Sequence, residues 1–179
     1  MQTILVIGTV HSMMPEHQQE LENLFRVLNP DQILIEISPE DVQRENFKDY
    51  PQEMTYAYYW AKIQGKRVNG FDASMDILDI AVSDDMKRQL ESEAGHLIAI
   101  VNWKYLNKTD TEIYRRLSLL TERMIDKEKN RQRQETMLQN IQKQLIPRGK
   151  ILILTGSFHL PFFQKNLKNA LFPLSRELF

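Results

Sequence analysis

Two histidines each stand three residues after a glycine that closes an apolar run. The first lies in ILVIGTVH, where Gly8 precedes His11, and the second lies in ILILTGSFH, where Gly156 precedes His159. With six Gly and four His in 179 residues, two such matches are more than composition alone predicts. A neutral imidazole can serve as a metal ligand or as a general base near neutral pH. The spacing therefore indicates a site that carries out chemistry.

Two carboxylates stand near the ends of the other apolar runs. They are Glu36 in ILIEIS and Asp72 in VNGFDAS. Two imidazoles and two carboxylates can complete most of a coordination shell for Zn, Mn, Fe or Co, and such a metal activates bound water. Without a metal, a histidine oriented by a carboxylate can act as a general base. A third interpretation is structural, in which Glu36 pairs with an arginine and both histidines cap helices.

Four short apolar runs predict the elements that position these groups. Their nearly continuous β-branched character is typical of parallel strands that are covered on both faces. The carboxyl ends of such strands lie along one edge of the sheet, where α/β folds bind ligands. All four polar groups are therefore expected at that edge. The predicted strands are Ile4–Ile7, Gln32–Ile37, Arg67–Phe71 and Ile151–Leu154.

Helical patterns connect the first three predicted strands. One helix is predicted in PEHQQELENLFRVL and another from Glu53 to Gln64, which together give a βαβαβ unit with a parallel sheet. His17, on the first helix, is either a second base or ligand facing the pocket or a histidine at the edge of the core. The second helix is predicted to bury one stripe, formed by Tyr56, Tyr59, Trp60 and Ile63.

The stretch between the third and fourth predicted strands reads as helix over most of its length. Residues 72–150 are therefore predicted to form a large helical insertion that packs on the sheet. The expected fold class is α/β, with a mostly parallel sheet of at least four strands flanked by helices. Residues 1–179 are predicted to form a single domain.

The composition argues against several classes of function. A net charge of −1 provides no basic excess for nucleic acid, and no apolar run is long enough to span a bilayer. The chain has no cysteine and no signal-peptide pattern, so we expect a cytoplasmic protein without disulfides or thiolate metal sites. The expected partner is a small-molecule or peptide substrate. The apolar C-terminal segment ALFPLSRELF predicts docking on the sheet or on a second subunit of a homodimer.

Three segments resemble a known family. VIGTVHSMMPEHQQELENLFRVLNPDQILIEIS resembles the N-terminal signature of the TraB/PrgY and Tiki/GumN group, within the erythromycin-esterase/ChaN-like superfamily. That signature is a strand, Gly-Thr-x-His, a helix, then Pro-Asp and a strand that carries a glutamate. LTGSFHLPFF is similar to the second Gly-x-x-His segment of the group. RQETM, from Arg133 to Met137, is similar to its arginine four residues before a methionine, with Arg131 as the competing position.

The resemblance implies an α/β fold whose two ends meet at one pocket. Relatives include metal-dependent proteases, esterases with a histidine-based mechanism, regulators of peptide-pheromone signalling and proteins that bind haem-type ligands. By position, His11, Glu36 and His159 become the expected functional residues, with Arg133 as the partner of an anion or carboxylate. The role of the position that corresponds to Asp72 varies within the group.

The sequence therefore predicts a hydrolase that cleaves a peptide, ester or amide bond with its paired Gly-x-x-His histidines. The expected mechanism is assisted by a divalent metal (Mn, Co, Zn or Fe), held by His11, Glu36, His159 and Asp72. The alternative is a non-catalytic regulatory protein that binds a small ligand or a metal with the same residues.

Overall fold

A computed structural model describes residues 1–9, 11, 15–73, 84–99, 116, 119–120, 123 and 125–173. The strands are β1 (Gln2–Thr9), β2 (Gln32–Ile35), β3 (Arg67–Gly70), β4 (Gly149–Gly156) and β5 (Ala170–Leu171). The α-helices are α1 (Pro15–Leu28), α2 (Pro39–Arg44), α3 (Gln52–Ile63), α4 (Asp84–Ala99), α5 (Lys127–Gln144) and α6 (Leu160–Asn166). A 3-10 turn, Ser157–His159, connects β4 to α6.

The strands form one parallel sheet in the order β3-β2-β4-β1-β5, which confirms the predicted α/β class. The longest pairing joins β1 to β4, in a register that runs from Gln2 opposite Gly149 to Thr9 opposite Gly156. β4 also pairs with β2, so β1 and β2 are consecutive in the chain but not adjacent in the sheet. The two Gly-x-x-His segments consequently leave the sheet side by side.

Helices cover both faces of the sheet. Successive side chains of a strand point to opposite faces, so the strands contribute to two separate cores. One core packs against α1 and α3, through residues that include Phe25, Leu21, Met54 and Ala57. The other packs against α5 and α6, through Met137, Ile141 and Phe163.

The buried stripe of α3 differs from the predicted one. Tyr59 and Ile63, which were expected in the core, are 49% and 79% exposed. The helix instead buries Glu53, Met54, Ala57, Tyr58 and Ala61. Small alanine side chains let the helix approach the sheet closely, and Tyr58 is the one aromatic residue of the helix that is buried.

The strand boundaries also differ from the predicted ones. β1 and β4 each extend beyond the predicted run, whereas β2 ends at Ile35, where the Ile37 N–H donates to the Ile35 carbonyl and turns the chain. β5 was not predicted as a strand. It belongs to the apolar C-terminal segment that was expected to dock, and it pairs with β1 at the edge of the sheet. Residues 174–179 of that segment lie outside the described residues.

Two helices of the predicted insertion are described, α4 and α5. α5 packs on the sheet through Met137 and Ile141, whereas residues 74–83 and most of 100–124 lie outside the described part of the chain. Among the described helices, none combines the length and the apolar character that a bilayer crossing requires.

Candidate functional site

The ends of four adjacent strands place the predicted residues along one edge of the sheet. Asp72 follows β3, Glu36 follows β2, His159 follows β4 and His11 follows β1. Their order along the edge is therefore the order of the strands. Arg133 enters from α5 on one side of the sheet.

Glu36 is the buried centre of this arrangement. Its Oε2 atom accepts hydrogen bonds from the Thr155 hydroxyl and the Gly156 N–H, both at 2.6 Å. Its Oε1 atom lies 3.3 Å from Nη2 of Arg133 and 3.2 Å from Nε2 of His159. Both carboxylate oxygens are thus engaged by the protein, so Glu36 organises the groups around it and has no oxygen left for a substrate.

These contacts keep Glu36 ionised. Burial raises the pKa of its carboxyl group, but the interactions with His159 and the positive charge of Arg133 outweigh burial. The pKa consequently lies well below its ordinary value of 4.5.

Arg133 connects Glu36 to Asp72. Its Nε and Nη2 atoms donate to the two oxygens of Asp72, each at 2.8 Å, in the paired geometry that arginine and carboxylate favour. The Ala73 N–H donates to Asp72 at 2.7 Å and orients the carboxylate. Burial lowers the pKa of Arg133, but the hydrogen bonds and charge of Asp72 and the charge of Glu36 raise it above its ordinary value.

The position of α5 explains why Arg133, rather than Arg131, reaches the site. Asn140 donates to the carbonyl of Phe71, and Gln144 donates to the carbonyl of Gly70. These two residues share a helix face with Arg133, because they follow it at helical spacings of seven and eleven residues. Arg131 is exposed and pairs with glutamates of its own helix, Glu128 and Glu135.

His159 is locked by two neighbours. Nδ1 of His159 lies 3.2 Å from the amide nitrogen of Gln134, and Nε2 lies 3.2 Å from Oε1 of Glu36. The side chain is 4% exposed. Because both ring nitrogens are engaged, His159 is placed to position Glu36 and is not placed to act as a base.

His11 has a different environment. Its Nδ1 atom lies 2.8 Å from Oε1 of Glu53, the oxygen that also accepts a 2.8 Å hydrogen bond from the Thr9 hydroxyl. The Glu53 side chain is completely buried, whereas the His11 side chain is 45% exposed. An ionised carboxylate accepts the Nδ1 proton, which leaves Nε2 of His11 as the basic nitrogen.

The backbone of His11 is unusual, because its φ of 51° lies in the left-handed region. A non-glycine residue there costs on the order of 1–3 kcal/mol, and such strain is concentrated at functional sites. The conformation places the ring against β4. A Cβ on Gly156 would lie 2.6 Å from Nε2 of His11, so the absence of a side chain at residue 156 makes room for the imidazole.

The surrounding charges favour the protonated form of His11. Burial lowers the pKa of the imidazole, but the hydrogen bond to Glu53 and the negative charges of Glu36 and Glu53 outweigh it. Arg133 acts in the opposite direction. The pKa of His11 consequently lies above its ordinary value of 6.5.

Sequence reasoning missed Glu53. It stands at the beginning of the helix whose buried stripe was assigned to Tyr56, Tyr59, Trp60 and Ile63. The available signal was a glutamate in line with Ala57 and Ala61, four and eight residues later, on the face that packs against the sheet. His17, whose orientation the sequence left open, is fully buried.

The expected metal ligands do not form a metal-binding set in this arrangement. Within the described ranges, no group of three or more His, Asp or Glu is placed to hold a metal ion. Both oxygens of Asp72 accept hydrogen bonds from Arg133, and both oxygens of Glu36 are engaged as well. A metal would compete with these donors for the carboxylate oxygens. The guanidinium group occupies the position of the cation between the two carboxylates.

Comparisons with protein-family models, with curated proteins and with solved structures find no match to this chain.

Proposed function

We propose that this protein is a hydrolase that cleaves an ester, amide or peptide bond by general-base catalysis without a metal. The observation that carries the proposal is the pairing of a half-exposed histidine, His11, with a completely buried carboxylate, Glu53. A histidine oriented in this way is the standard means of removing a proton from water near neutral pH.

The proposed reaction begins at Nε2 of His11. Glu53 holds the Nδ1 proton and orients the ring, so that Nε2 accepts a proton from a water molecule. The resulting hydroxide attacks the carbonyl carbon of the substrate and forms a tetrahedral oxyanion. When this intermediate collapses, His11 returns the proton to the leaving alcohol or amine.

Arg133 is the proposed stabiliser of the oxyanion. Its Nε and Nη2 atoms bind the two carboxylates, and Nη1 is the guanidinium nitrogen that those contacts do not use. Its positive charge also acts on His11, since it lowers the pKa of the imidazole. A fixed positive charge near a developing oxyanion is a large contribution to catalysis.

The resemblance of both Gly-x-x-His segments to the TraB/PrgY and Tiki/GumN group supports hydrolysis as the reaction class. Glu36, Asp72 and His159 are already engaged by other protein groups. This favours a histidine-based mechanism without a metal over a metal-dependent mechanism. The alternative is a regulatory protein that binds a small ligand at the same residues without turnover.

A panel of nitrophenyl esters, anilides and fluorogenic peptides tests the proposal on protein treated with chelator. We expect turnover of at least one substrate class, and we expect His11→Ala to abolish it without a large change in melting temperature. Turnover that persists in His11→Ala would overturn the proposal. No turnover, together with ligand binding that depends on His11, would establish the regulatory alternative.

A further inference from the structure

A groove lies between α1 and α3, outside the site described above. Its volume is about 500 Å³, within the range of small-molecule sites in proteins. It is open to solvent, and its lining includes Gln19, Glu22 and Asn23 on the α1 side and Tyr56, Trp60 and Gln64 on the α3 side. Both helices run antiparallel to the strands. These lining residues lie between the middle of each helix and its C-terminal end, so the groove is at the edge of the sheet opposite to His11.

Aromatic side chains form the floor of the groove. Phe25 is completely buried, and its ring centroid lies 4.6 Å from that of Trp60. Tyr56 stacks on Phe25 from the other direction, with a centroid distance of 6.5 Å and an interplanar angle of 8°. Phe25 therefore holds Tyr56 and Trp60 as a fixed aromatic surface that is covered from below and accessible from the groove.

Polar side chains with planar ends surround this surface. Glu22 accepts the Tyr56 hydroxyl at 2.6 Å, and Asn23 accepts a 2.8 Å hydrogen bond from Arg26. Gln64 lines the other end of the groove. The lining carries one carboxylate and one guanidinium and is otherwise amide or aromatic, so it has no net charge to attract an ion.

We propose that this groove binds a neutral saccharide. The C–H face of a sugar ring packs on the flat face of Trp or Tyr, and its hydroxyl groups both donate to and accept from amides, carboxylate and guanidinium. A planar heteroaromatic ligand has few hydroxyl groups, whereas the four amides of the lining match the repeated hydroxyl groups of a saccharide. The groove is open to solvent, so a chain of sugar units can extend from it.

The saccharide site does not depend on the proposed hydrolysis, because it uses none of the groups around His11. The groove and the strand-end site share α3 but use different faces of it. Glu53 faces the sheet, whereas Tyr56 and Trp60 line the groove. Sugar binding and turnover can therefore be lost separately.

Intrinsic fluorescence provides a direct test. The chain has two tryptophans, so the variant Trp103→Phe leaves Trp60 as the reporter. Lactose, maltose and diacetylchitobiose are titrated up to about 20 mM, well above a Kd of about 1 mM. We expect a saturable change with at least one disaccharide. No change with any of the three would overturn the proposal, and a response to adenosine alone would overturn the assigned ligand class.

Variants locate the binding. Asn23→Ala combined with Gln64→Ala removes two amides from the lining and leaves the aromatic core intact, and we expect it to weaken binding at least about tenfold. Trp60→Ala, followed by NMR instead of fluorescence, should abolish binding, with folding checked by its melting temperature. Ile63→Ala, at an exposed residue of the same helix that does not line the groove, is the matched control. Unchanged affinity in the double amide variant would overturn the assignment to this groove.

Discussion

Nδ1 of His11 lies 2.8 Å from Oε1 of Glu53, although the two residues are 42 positions apart in the chain. Glu53 is held from the other direction by the Thr9 hydroxyl. The hydrogen bond from Thr9 thus fixes the carboxylate that orients the imidazole. This relationship separates His11 from His159, whose two nitrogens are both engaged.

The first prediction concerns Glu53→Gln. The amide can still accept the Nδ1 proton, but it no longer stabilises the imidazolium that forms during proton transfer. We expect kcat/KM to fall by about 100- to 10,000-fold. The measurement is steady-state kinetics on the best substrate of the panel.

Glu45→Gln is the matched control for Glu53→Gln, because Glu45 accepts a hydrogen bond from the Tyr58 hydroxyl and belongs to neither proposed site. Its activity should remain near the wild-type level. Equal losses in both variants would contradict a specific role for Glu53.

The second prediction concerns pH. Only neutral His11 can accept a proton, so kcat/KM should rise with pH through a midpoint above 6.5. The raised pKa has the opposite effect on folding. The protonated His11–Glu53 pair stabilises the folded protein below pH 6.5, and this contribution is lost as the pH rises through the folded-state pKa.

An NMR titration of the His11 ring measures that midpoint directly, with His11→Ala used to assign the signal. Glu53→Gln should lower the midpoint, because the hydrogen bond to a carboxylate and its charge are removed while burial remains. An unchanged midpoint in this variant would show that the pair does not set the pKa of His11.

The third prediction uses Gly156→Ala. The backbone angles of Gly156, φ −61° and ψ 138°, suit any residue, so the substitution does not strain the chain. The new Cβ would lie 2.6 Å from Nε2 of His11 and must displace the half-exposed ring. We expect a loss of at least about 100-fold in kcat/KM with little change in melting temperature.

Gly65→Ala is the control, because it is expected to change stability and not activity. Gly65 has a φ of 63° and nothing within 4 Å of an added Cβ. Alanine there should cost about 1 kcal/mol in stability and leave activity unchanged. A wild-type rate for Gly156→Ala would indicate that the ring position does not matter for turnover.

The fourth prediction concerns Glu36→Gln. The variant places an amide group among donors, removes the charged partner of His159 and leaves Arg133 with Asp72 alone, so we expect a loss of about 3–5 kcal/mol in unfolding free energy at pH 7. Because the folded-state pKa is lowered, ionised Glu36 stabilises the fold above pH 4.5, and that contribution declines as the pH falls further.

Denaturant unfolding at pH 7 and at pH 4 measures the effect, which should be smaller at the lower pH. Glu135→Gln, at an exposed glutamate of α5, should change the unfolding free energy by less than about 0.5 kcal/mol. A pH-independent difference for Glu36→Gln would argue that lost packing, rather than charge, explains the result.

The fifth prediction concerns metal removal. Prolonged treatment with chelator should change neither turnover nor melting temperature, because Arg133 is the cation that pairs with both Glu36 and Asp72. A rise in melting temperature of several degrees with Mn, Co, Zn or Fe, together with restored activity, would instead establish the metal-assisted mechanism.

The sequence predicted the features that depend on local pattern. The β-branched runs predicted four strands of a parallel sheet. Because Glu36, Asp72 and both histidines stand at the ends of these runs, they were expected at one edge of the sheet. These features follow from periodicities of the chain itself. The arginine that reaches Asp72 was suggested instead by the resemblance of RQETM, from Arg133 to Met137, to a segment of the TraB/PrgY and Tiki/GumN group.

Other features depend on contacts between distant residues, which no local pattern encodes. The helical spacing of the aromatic residues in α3 predicted an aromatic stripe. Close packing on the sheet instead buried Ala57 and Ala61 and placed Glu53 on the inner face. The different roles of the two histidines depend on Gln134 and Glu53, which belong to different helices on opposite sides of the sheet. β5 is only two residues long, and pairing with β1 defines it.

The position of β4 between β2 and β1 has a consequence for synthesis of the chain. Until residues 149–156 have left the ribosome, β1 has no neighbour towards β2, and the sheet cannot be completed. The nascent N-terminal half must therefore wait with unpaired strand edges, which are exposed to aggregation and to chaperones. The last long strand to emerge closes the sheet and brings Gly156 against His11, so the complete sheet and the surroundings of His11 form in the same late step.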